Sequence, residues 1–278
     1  MRPFWRRRQP LLPAAPAVEA QARTDPGCCR EINEDCAQVV YPPKGGEGLL
    51  LLVADGVGGH AAGEVASRMA VEIIGRAFYR GRAGARERLT RAFQRANRAI
   101  HRAARQDSHR SGMGTTCVAL ALQNGLAFCA HAGDSRLYLL REGALYQMTE
   151  DHSAVMEMVR RGLILPEEAR RHPDKNVILR ALGTRPQVEV SAWPEPFPVR
   201  PGDRFLLCSD GLHDLVEDTE IRQILLEEAP EPACERLIAL ARDRGGYDNV
   251  TVGIVAVAPE TVTETALLIT TREMEIAR

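Results

Sequence analysis

The feature that most constrains this fold is a series of short apolar runs separated by tight-turn sequences. Asn124-Gly125 and Glu142-Gly143 each separate two neighbouring runs, and two-residue turns of this kind join strands that run antiparallel. Apolar and β-branched runs of about four to eight residues are typical of β-strands. The runs lie at residues 49–54, 117–122, 126–131, 137–140, 205–208 and 250–257. The pattern therefore predicts antiparallel sheet and disfavours a parallel, doubly wound sheet.

Two amphipathic helices are predicted between the first and second of these runs. Residues 63–78 and 85–105 repeat apolar side chains every three or four positions, which is the spacing of one buried helix face. Further helical stretches are predicted over residues 153–171 and 218–228. No internal repeat is found, so the strands and helices are interpreted as parts of one domain.

The second helix lies in an arginine-rich part of the chain. Residues 76–110 contain eleven arginines against Glu87 and Asp107 as the only acidic residues. Two interpretations remain open, a nucleic-acid-binding face and an ordinary solvated helix face. The solvated face is favoured, because aromatic side chains that could stack on bases do not interleave with the exposed arginines.

Composition narrows the classes of protein further. The chain has 278 residues, of which 45% are hydrophobic and 26% charged, with a net charge of -1. A chain with a net charge near zero is not expected to function mainly by binding nucleic acid or an anionic membrane. No apolar run approaches the roughly 18 residues of a membrane span. The seven cysteines form no C-x-x-C pair, which favours reduced thiols and a cytoplasmic location.

The two ends of the chain differ from its middle. Residues 1–16 are rich in proline and arginine, and residues 259–278 follow the last strong strand without a clear core pattern. We expect a disordered basic arm over 1–16, one catalytic domain over 17–258 and a tail over 259–278.

Acidic residues flank the predicted strands in turns beside glycine or asparagine. A rigid scaffold can aim short side chains from strand ends into one shared site. Several converging carboxylates would repel one another unless a cation neutralised them. An oxygen-only ligand set selects Mg²⁺ or Mn²⁺ over zinc or copper, and two such ions can activate a water for phosphoryl hydrolysis. The residues are Asp55, Asp134, Asp210 and Asp248, with Glu34 and Asp35 near the start of the chain.

A competing motif overlaps the first of these aspartates. Residues 56–61 match the glycine-rich G-x-G-x-x-A pattern of dinucleotide-binding folds. That motif also requires a second parallel strand within about 30 residues. Here the first predicted helix leads into a second helix instead, so a dinucleotide-dependent oxidoreductase is the least favoured function.

Six motifs, in order, resemble those of the metal-dependent type 2C protein phosphatase family, in its bacterial serine/threonine branch. They are T-D-P-G-C-C-R-E-I-N-E-D at 24–35, D-G-V-G-G-H at 55–60, G-T-T at 114–116, G-D-S-R at 133–136, S-D-G-L at 209–212 and D-N-V-T at 248–251. The resemblance implies an α+β fold, namely a four-layer α-β-β-α sandwich of two antiparallel sheets flanked by helices, with metals at one sheet edge.

The resemblance also implies a set of metal ligands. Asp55 would bridge two Mn²⁺ or Mg²⁺ ions, and Gly56 would contribute its backbone carbonyl. Asp210 and Asp248 resemble ligands of one ion, and Glu34 and Asp35 would lie near the other, directly or through water. Asp134 resembles the ligand of a third, weaker ion.

Two further residues resemble groups that act on the substrate. Arg30 resembles the arginine that binds phosphate, and its planar fork suits two phosphoryl oxygens better than lysine would. His60 resembles the proposed general acid that protonates the leaving serine or threonine oxygen. A structural histidine capping the following helix is the alternative interpretation of His60, and His152 and His213 are the next candidates for the acid.

These observations predict a protein-serine/threonine phosphatase. Its substrates would be phosphoproteins, modified by a serine/threonine kinase, and we expect a monomer in the cytoplasm. A non-catalytic phosphoprotein-binding module on the same scaffold is the alternative from another class. Loss of a metal-binding aspartate would indicate that alternative, and none of the implied aspartates is lost.

Overall fold

Two antiparallel sheets lie face to face, and helices cover the outer side of each. The structure is a computed structural model that describes residues 17–43, 48–58 and 62–259. Within these residues the strands are β1 Val18–Asp25, β2 Asp35–Val40, β3 Leu49–Val57, β4 Gly114–Thr115, β5 Cys117–Gln123, β6 Leu126–Ala132, β7 Arg136–Arg141, β8 Ala144–Gln147, β9 Ser191–Ala192, β10 Phe197–Pro198, β11 Arg204–Cys208 and β12 Val250–Val257.

The described helices are α1 Ala62–Arg80, α2 Ala85–Gln106, α3 Ala154–Arg160, α4 Pro166–Ala169, α5 Asp210–His213, α6 Asp218–Glu227 and α7 Pro230–Asp243. α1 and α2 pack on one sheet, and α6 and α7 pack on the other. One sheet has the strand order β1-β12-β11-β7-β8, and the other has the order β10-β6-β5-β3-β2 with β4 on β3 and β9 on β6. All pairings between these strands are antiparallel.

Three apolar cores separate four layers. The central strands are buried on both faces, so alternate residues enter different cores: Leu50 and Leu52 pack toward α1 and α2, whereas Leu51 and Val53 pack between the sheets. The third core lies between the other sheet and the helices α6 and α7. Burial on both faces explains why these strands are unbroken apolar runs in the sequence. The α-β-β-α arrangement confirms the predicted fold class.

Both predicted hairpin turns are present. Asn124-Gly125 joins β5 to β6 and Glu142-Gly143 joins β7 to β8, with positive φ at all four residues. This is the backbone of a type I′ turn, whose twist matches that of antiparallel strands. The six predicted strands and the two long helices are confirmed, with ends shifted by at most a few residues.

One predicted helix is wrong. Residues 153–171 do not form a continuous helix, because α3 ends at Arg160 and α4 begins only at Pro166. Gly162 between them has a φ of +69°, which an α-helix cannot contain, and Pro166 stands at the first position of α4, where proline is tolerated.

The dinucleotide-binding alternative is also excluded. β3 leads through α1 directly into α2, and the next described strand, β4, pairs antiparallel with β3. The parallel strand–helix–strand unit that the glycine-rich motif needs is therefore missing from the described residues.

The predicted arm over 1–16 lies outside the described residues, and so does the predicted tail apart from its first residue. The division into arm, domain and tail therefore stays a prediction. In the part of the chain that is described, no helix combines the length and the apolar character required to cross a membrane.

Candidate metal centre

Five aspartates gather at one edge of the two sheets. Asp55 lies near the end of β3, and Asp35 is its direct partner across the ladder at the start of β2. Asp134 follows β6, Asp210 follows β11 as the first residue of α5, and Asp248 lies two residues before β12. Strand ends from both sheets thus bring the predicted aspartates into one electrostatic cluster, in which each charge affects its neighbours.

Burial and mutual repulsion raise the pKa values of four of these carboxyls, namely Asp35, Asp55, Asp134 and Asp210. Burial is the main cause for Asp55, whose pKa lies well above its ordinary value, followed by the charges of Asp35, Asp210 and Asp134. Burial likewise raises the pKa of Asp35 to about 7 and that of Asp210 to about 6. Without a cation, the cluster therefore holds its negative charges at a cost.

Hydrogen bonds to the two threonines of the G-T-T motif hold the backbone at Asp55 in place. The carbonyl oxygen of Asp55 accepts hydrogen bonds from the Thr116 N–H and the Thr115 hydroxyl, each at 2.8 Å. The Asp55 N–H donates to the Thr116 hydroxyl at 3.1 Å. These contacts fix the strand end that carries Asp55, and β3 continues to Val57 because Gly56 and Val57 pair with β4.

Gly56 and Glu34 lie against the start of α1. The Gly56 N–H donates to the Glu34 carbonyl at 3.1 Å, and the Glu34 carboxylate accepts the Gly63 N–H at 3.0 Å. A Cβ on Gly56 would come within 2.2 Å of the Gly63 carbonyl oxygen, so only glycine fits. Glu34 is therefore beside the cluster, with one oxygen engaged at a helix N-terminus, where its charge is favourable.

Asp35 and Asp134 differ in how their oxygens are satisfied. The Ser209 hydroxyl donates to Asp35 Oδ2 at 2.7 Å. Asp134 is 5% exposed, and its Oδ1 has no hydrogen-bond partner among the described residues. A buried carboxylate oxygen without a partner is costly, and a bound cation would satisfy it.

The donor set fits a hard divalent cation. All predicted ligand atoms are carboxylate or carbonyl oxygens, their charges repel one another, and Asp134 Oδ1 is unpartnered. Among the described residues, however, no three acidic, histidine or cysteine side chains are arranged so that they could coordinate one metal ion together. The carboxylates turn instead toward hydrogen-bond donors of the protein, such as Ser209 and Arg30.

Arg30 lies at the exposed rim of the cluster. Its Nη2 is 2.7 Å from Asp248 Oδ2. The pKa of Arg30 is raised, most of all by the charge of Asp248 and to a smaller extent by Glu34 and Asp210. The predicted phosphate-binding arginine is thus next to the predicted metal ligands.

Asn249 is a residue of the site that sequence reasoning did not single out. Its side-chain oxygen accepts the Glu34 N–H at 2.8 Å, and its amide nitrogen donates to the carbonyls of Pro26 and Ile32 at 3.0 Å each. These bonds fasten the loop that carries Arg30 and Glu34 to the start of β12. The D-N-V-T motif contained the residue, but its role depends on contacts with a distant part of the chain.

The predicted general acid, His60, lies outside the described residues. The next two candidates each have a ring nitrogen in a hydrogen bond to the backbone. His213 is buried, its Nε2 is 3.2 Å from the Asp134 carbonyl, and burial lowers its pKa well below the ordinary value. His152 accepts the Gly133 N–H at its Nδ1, and burial is the main cause that lowers its pKa to about 3. Both imidazole rings are therefore neutral near pH 7, so neither has the second ring proton that an imidazolium could donate.

A cleft opens from the cluster toward residues 153–176. A cavity of about 400 Å³ is bounded by Asp134 and Asp210 on one side and by Met156, Arg170 and Lys175 on the other. The cavity is large enough for a phosphorylated side chain and leads directly to the aspartates.

Comparison with known proteins gives a consistent result. The sequence model of the family described as Protein phosphatase 2C matches residues 33–239. The serine/threonine phosphatase stp of Listeria monocytogenes is 41% identical over 244 residues, which are 86% of this chain and 95% of that protein.

Solved structures of similar proteins agree. The Mycobacterium tuberculosis serine/threonine phosphatase PstP/Ppp superposes with a TM-score of 0.79 at 39% identity, over 87% of this chain and 99% of that one. The catalytic domain of the serine/threonine protein phosphatase PstP, solved in complex with two manganese ions, superposes with a TM-score of 0.74 at 37% identity, over 87% of this chain and 98% of that one.

Proposed function

The chain belongs to the protein phosphatase 2C family, in its bacterial branch of metal-dependent serine/threonine phosphatases, and we therefore propose that it hydrolyses phosphoserine and phosphothreonine in proteins at a binuclear Mn²⁺ or Mg²⁺ centre. The observation that carries the proposal is the aspartate cluster around Asp55, where burial and the neighbouring charges of Asp35, Asp210 and Asp134 raise the pKa of the Asp55 carboxyl. Such a cluster needs a divalent counter-charge.

The residues proposed to hold the metals are those that the motifs implied. Asp55 would bridge two ions with help from the Gly56 carbonyl, Asp210 and Asp248 would serve one ion, Glu34 and Asp35 the other, and Asp134 a third. The two manganese ions of the similar PstP structure support the two-ion part of this assignment. When bound, the ions would supply charge neutralisation and an activated water for attack on phosphorus. To coordinate the ions, the carboxylate side chains would have to rotate, while the strand ends that carry them would keep their positions.

Arg30 is proposed to bind the phosphoryl group. Its ion pair with Asp248 holds the guanidinium at the rim of the cluster, where a phosphomonoester entering from the cleft would first meet protein. With the Asp248 carboxylate turned toward a metal site, the guanidinium fork becomes available for two phosphoryl oxygens.

His60 is proposed to donate the proton that the leaving serine or threonine oxygen needs. A metal-activated nucleophile does not remove that need, because an alkoxide is a poor leaving group. The lowered pKa values of His152 and His213 make these two histidines weaker candidates for the acid.

We propose phosphoproteins of a serine/threonine kinase as the substrates, and a cytoplasmic monomer as the working form. All seven cysteines are free thiols, four of them buried, which is compatible with a reducing compartment. The non-catalytic phosphoprotein-binding module is the weaker hypothesis, because every implied metal carboxylate is present.

One peptide series tests the proposal. Phosphoserine, phosphothreonine and phosphotyrosine versions of one peptide are incubated with chelator-treated protein, with and without added Mn²⁺. We expect phosphate release from the first two only, and only with metal. Binding without release from any peptide would instead support the non-catalytic module, and release that survives chelation would contradict a metal-dependent site.

A further inference from the structure

An exposed row of arginines runs along one face of α2. Successive members are three or four residues apart, so at about 100° per residue they lie within roughly 80° of one another around the helix axis. The opposite face carries Leu89, Phe93 and Ile100 into the core. The row, here called the arginine stripe, consists of Arg91, Arg95, Arg98, Arg102 and Arg105.

Most of the stripe lacks acidic partners. All five side chains are exposed, and only Arg91 forms an ion pair, with Glu87 one turn earlier. No ion pair is found for the other four within the described residues. Several exposed arginines on other faces do have acidic partners: Arg23 pairs with Glu231, and Arg236 pairs with Glu228.

The stripe is also the centre of a strong charge asymmetry. Eleven arginines and two acidic residues give residues 76–110 a formal charge of +9, whereas the whole chain carries -1, so the remainder carries -10. A concentrated field of one sign attracts oppositely charged partners and speeds their encounter. The near-neutral total therefore conceals a cationic surface.

The direction of α2 brings the stripe toward the aspartate cluster. Arg88, in the first turn of α2, contacts the side chain of Gln123 at the end of β5 that lies away from Asp55. At the other end of the helix the chain turns into β4, whose Thr115 hydroxyl donates to the Asp55 carbonyl. The stripe thus runs from the far end of the sheet to the catalytic edge.

The surroundings of the stripe favour a purely ionic partner. Residues 76–110 include none of the exposed large hydrophobic side chains of the described chain. The surface therefore offers neither apolar anchors for a membrane nor stacking platforms for bases. At 1.5 Å per residue the stripe is about 21 Å long, which about six residues of an extended peptide would span. Arginine forks pair well with carboxylates and phosphates.

We propose that the arginine stripe is a docking surface for an acidic polypeptide segment of the substrate protein, which it captures and aligns with the cleft beside Asp55. The proposal rests on the proposed phosphatase function and adds a substrate class: phosphoproteins with an acidic tract at some distance from the phosphorylated residue.

The test compares short phosphothreonine peptides with and without an acidic tract. The tract of about ten Asp and Glu residues is attached through a flexible linker on either side of the phosphothreonine, and a peptide with an Asn and Gln tract is the uncharged control. For the wild-type protein loaded with Mn²⁺, we expect a KM about tenfold lower for at least one acidic peptide at low salt. The advantage should disappear at about 0.5 M salt, because screening weakens exposed charge interactions.

Two variants with equal charge changes locate the effect. The stripe variant carries R95Q, R98Q, R102Q and R105Q, and glutamine keeps a helix propensity close to that of arginine. The control variant carries R23Q, R200Q, R222Q and R236Q, on other surfaces. We expect the stripe variant to lose the preference to within about twofold, the control variant to keep it, and all proteins to hydrolyse the tract-free peptide equally.

Several outcomes would overturn the docking proposal. They are the absence of any preference in the wild type, a preference that survives in the stripe variant, and an equal loss in both variants. Stripe-dependent binding to vesicles containing 30% phosphatidylserine without a peptide preference would show a membrane surface instead. Binding of the fluorescently labelled acidic tract is measured by anisotropy in parallel. If no peptide is hydrolysed but the tract still binds through the stripe, the proposed function fails and the docking surface stands.

Discussion

The guanidinium of Arg30 lies 2.7 Å from the carboxylate of Asp248, so a proposed phosphate-binding group and a proposed metal ligand share one contact. Both side chains are partly exposed, 52% and 38% respectively. An ion pair this exposed contributes little to stability. The ion pair instead positions the Arg30 guanidinium at the entrance of the aspartate cluster. A phosphate dianion would otherwise be repelled by the negative charge of that cluster.

Replacement of Arg30 should therefore act mainly on substrate binding. We expect Arg30→Ala to raise KM for a phosphothreonine peptide by about tenfold or more with a smaller effect on kcat, and Arg30→Lys to recover only part, since a point charge cannot reproduce the bidentate fork. Steady-state kinetics with saturating Mn²⁺ measure this. An unchanged KM in Arg30→Ala would contradict the role.

Asp55→Asn should separate function from stability. Loss of a bridging carboxylate should lower kcat by on the order of 10³-fold or more, since several kcal/mol of metal-derived stabilisation are lost. The same change removes a repelled charge, so the melting temperature of the metal-free protein should rise by about 2–4 °C. Calorimetry after chelation checks this, with exposed Glu195→Gln as the matched control. A lower melting temperature would mean that Asp55 stabilises the fold.

The buried neutral state of His152 should make stability depend on pH. Its pKa is lowered to about 3, first by burial and then by the charges of His131 and Arg180. Below its ordinary pKa the unfolded chain binds a proton that the folded chain refuses, so stability should fall as pH decreases from about 7 toward 3.

The matched variant for this effect is His152→Asn, whose side-chain oxygen can still accept the Gly133 N–H. We expect the unfolding free energy of this variant, measured by urea titration, to fall less between pH 7.5 and pH 5 than that of the wild type. The two slopes should differ by up to about 1 kcal/mol per pH unit. His109→Asn, on the exposed turn after α2, is the control. Equal slopes in all three proteins would refute the interpretation.

The role of His60 should appear as dependence on the leaving group. A general acid matters for the strongly basic alkoxide of threonine and much less for p-nitrophenolate, which departs without a proton. We expect His60→Gln to lower kcat on a phosphothreonine peptide by on the order of 10²-fold, with a far smaller loss on p-nitrophenyl phosphate. Equal losses together with a lower melting temperature would indicate a structural histidine.

The strands buried on both faces were predictable, and the strands at the sheet edges were not. β3 and β5 form unbroken apolar runs, whereas β1 and β2 at the edges mix polar and apolar residues and carry no clear strand pattern. The sequence does not indicate α7 either, because Pro230 and Pro232 stand in its first turn. A helix tolerates proline there, but prolines in a sequence are typical of a break.

At the site, four of the aspartates were predictable because each flanks a predicted strand. Asp35 begins β2, which the pattern does not predict, and is indicated only by its place in a motif near the start of the chain. Their fixation was not predictable, because it depends on side-chain hydrogen bonds between residues far apart in the chain. Asn249 binding the loop around Glu34, Thr116 holding Asp55, and His213 under the Asp134 carbonyl are all contacts of this kind. No local pattern encodes them, since they arise only when both sheets have assembled.

A titration of the chelator-treated protein with Mn²⁺ tests whether the aspartates around Asp55 form a metal centre that hydrolyses phosphothreonine. Bound Mn²⁺, followed from the electron paramagnetic resonance signal of the free ion, and phosphate release from a phosphothreonine peptide are measured in the same samples for wild type and Asp55→Asn. We expect wild-type activity to appear as two ions bind, and Asp55→Asn to lose both tight binding and turnover. Full hydrolysis before any Mn²⁺ binds, or normal binding and turnover in Asp55→Asn, would contradict this expectation.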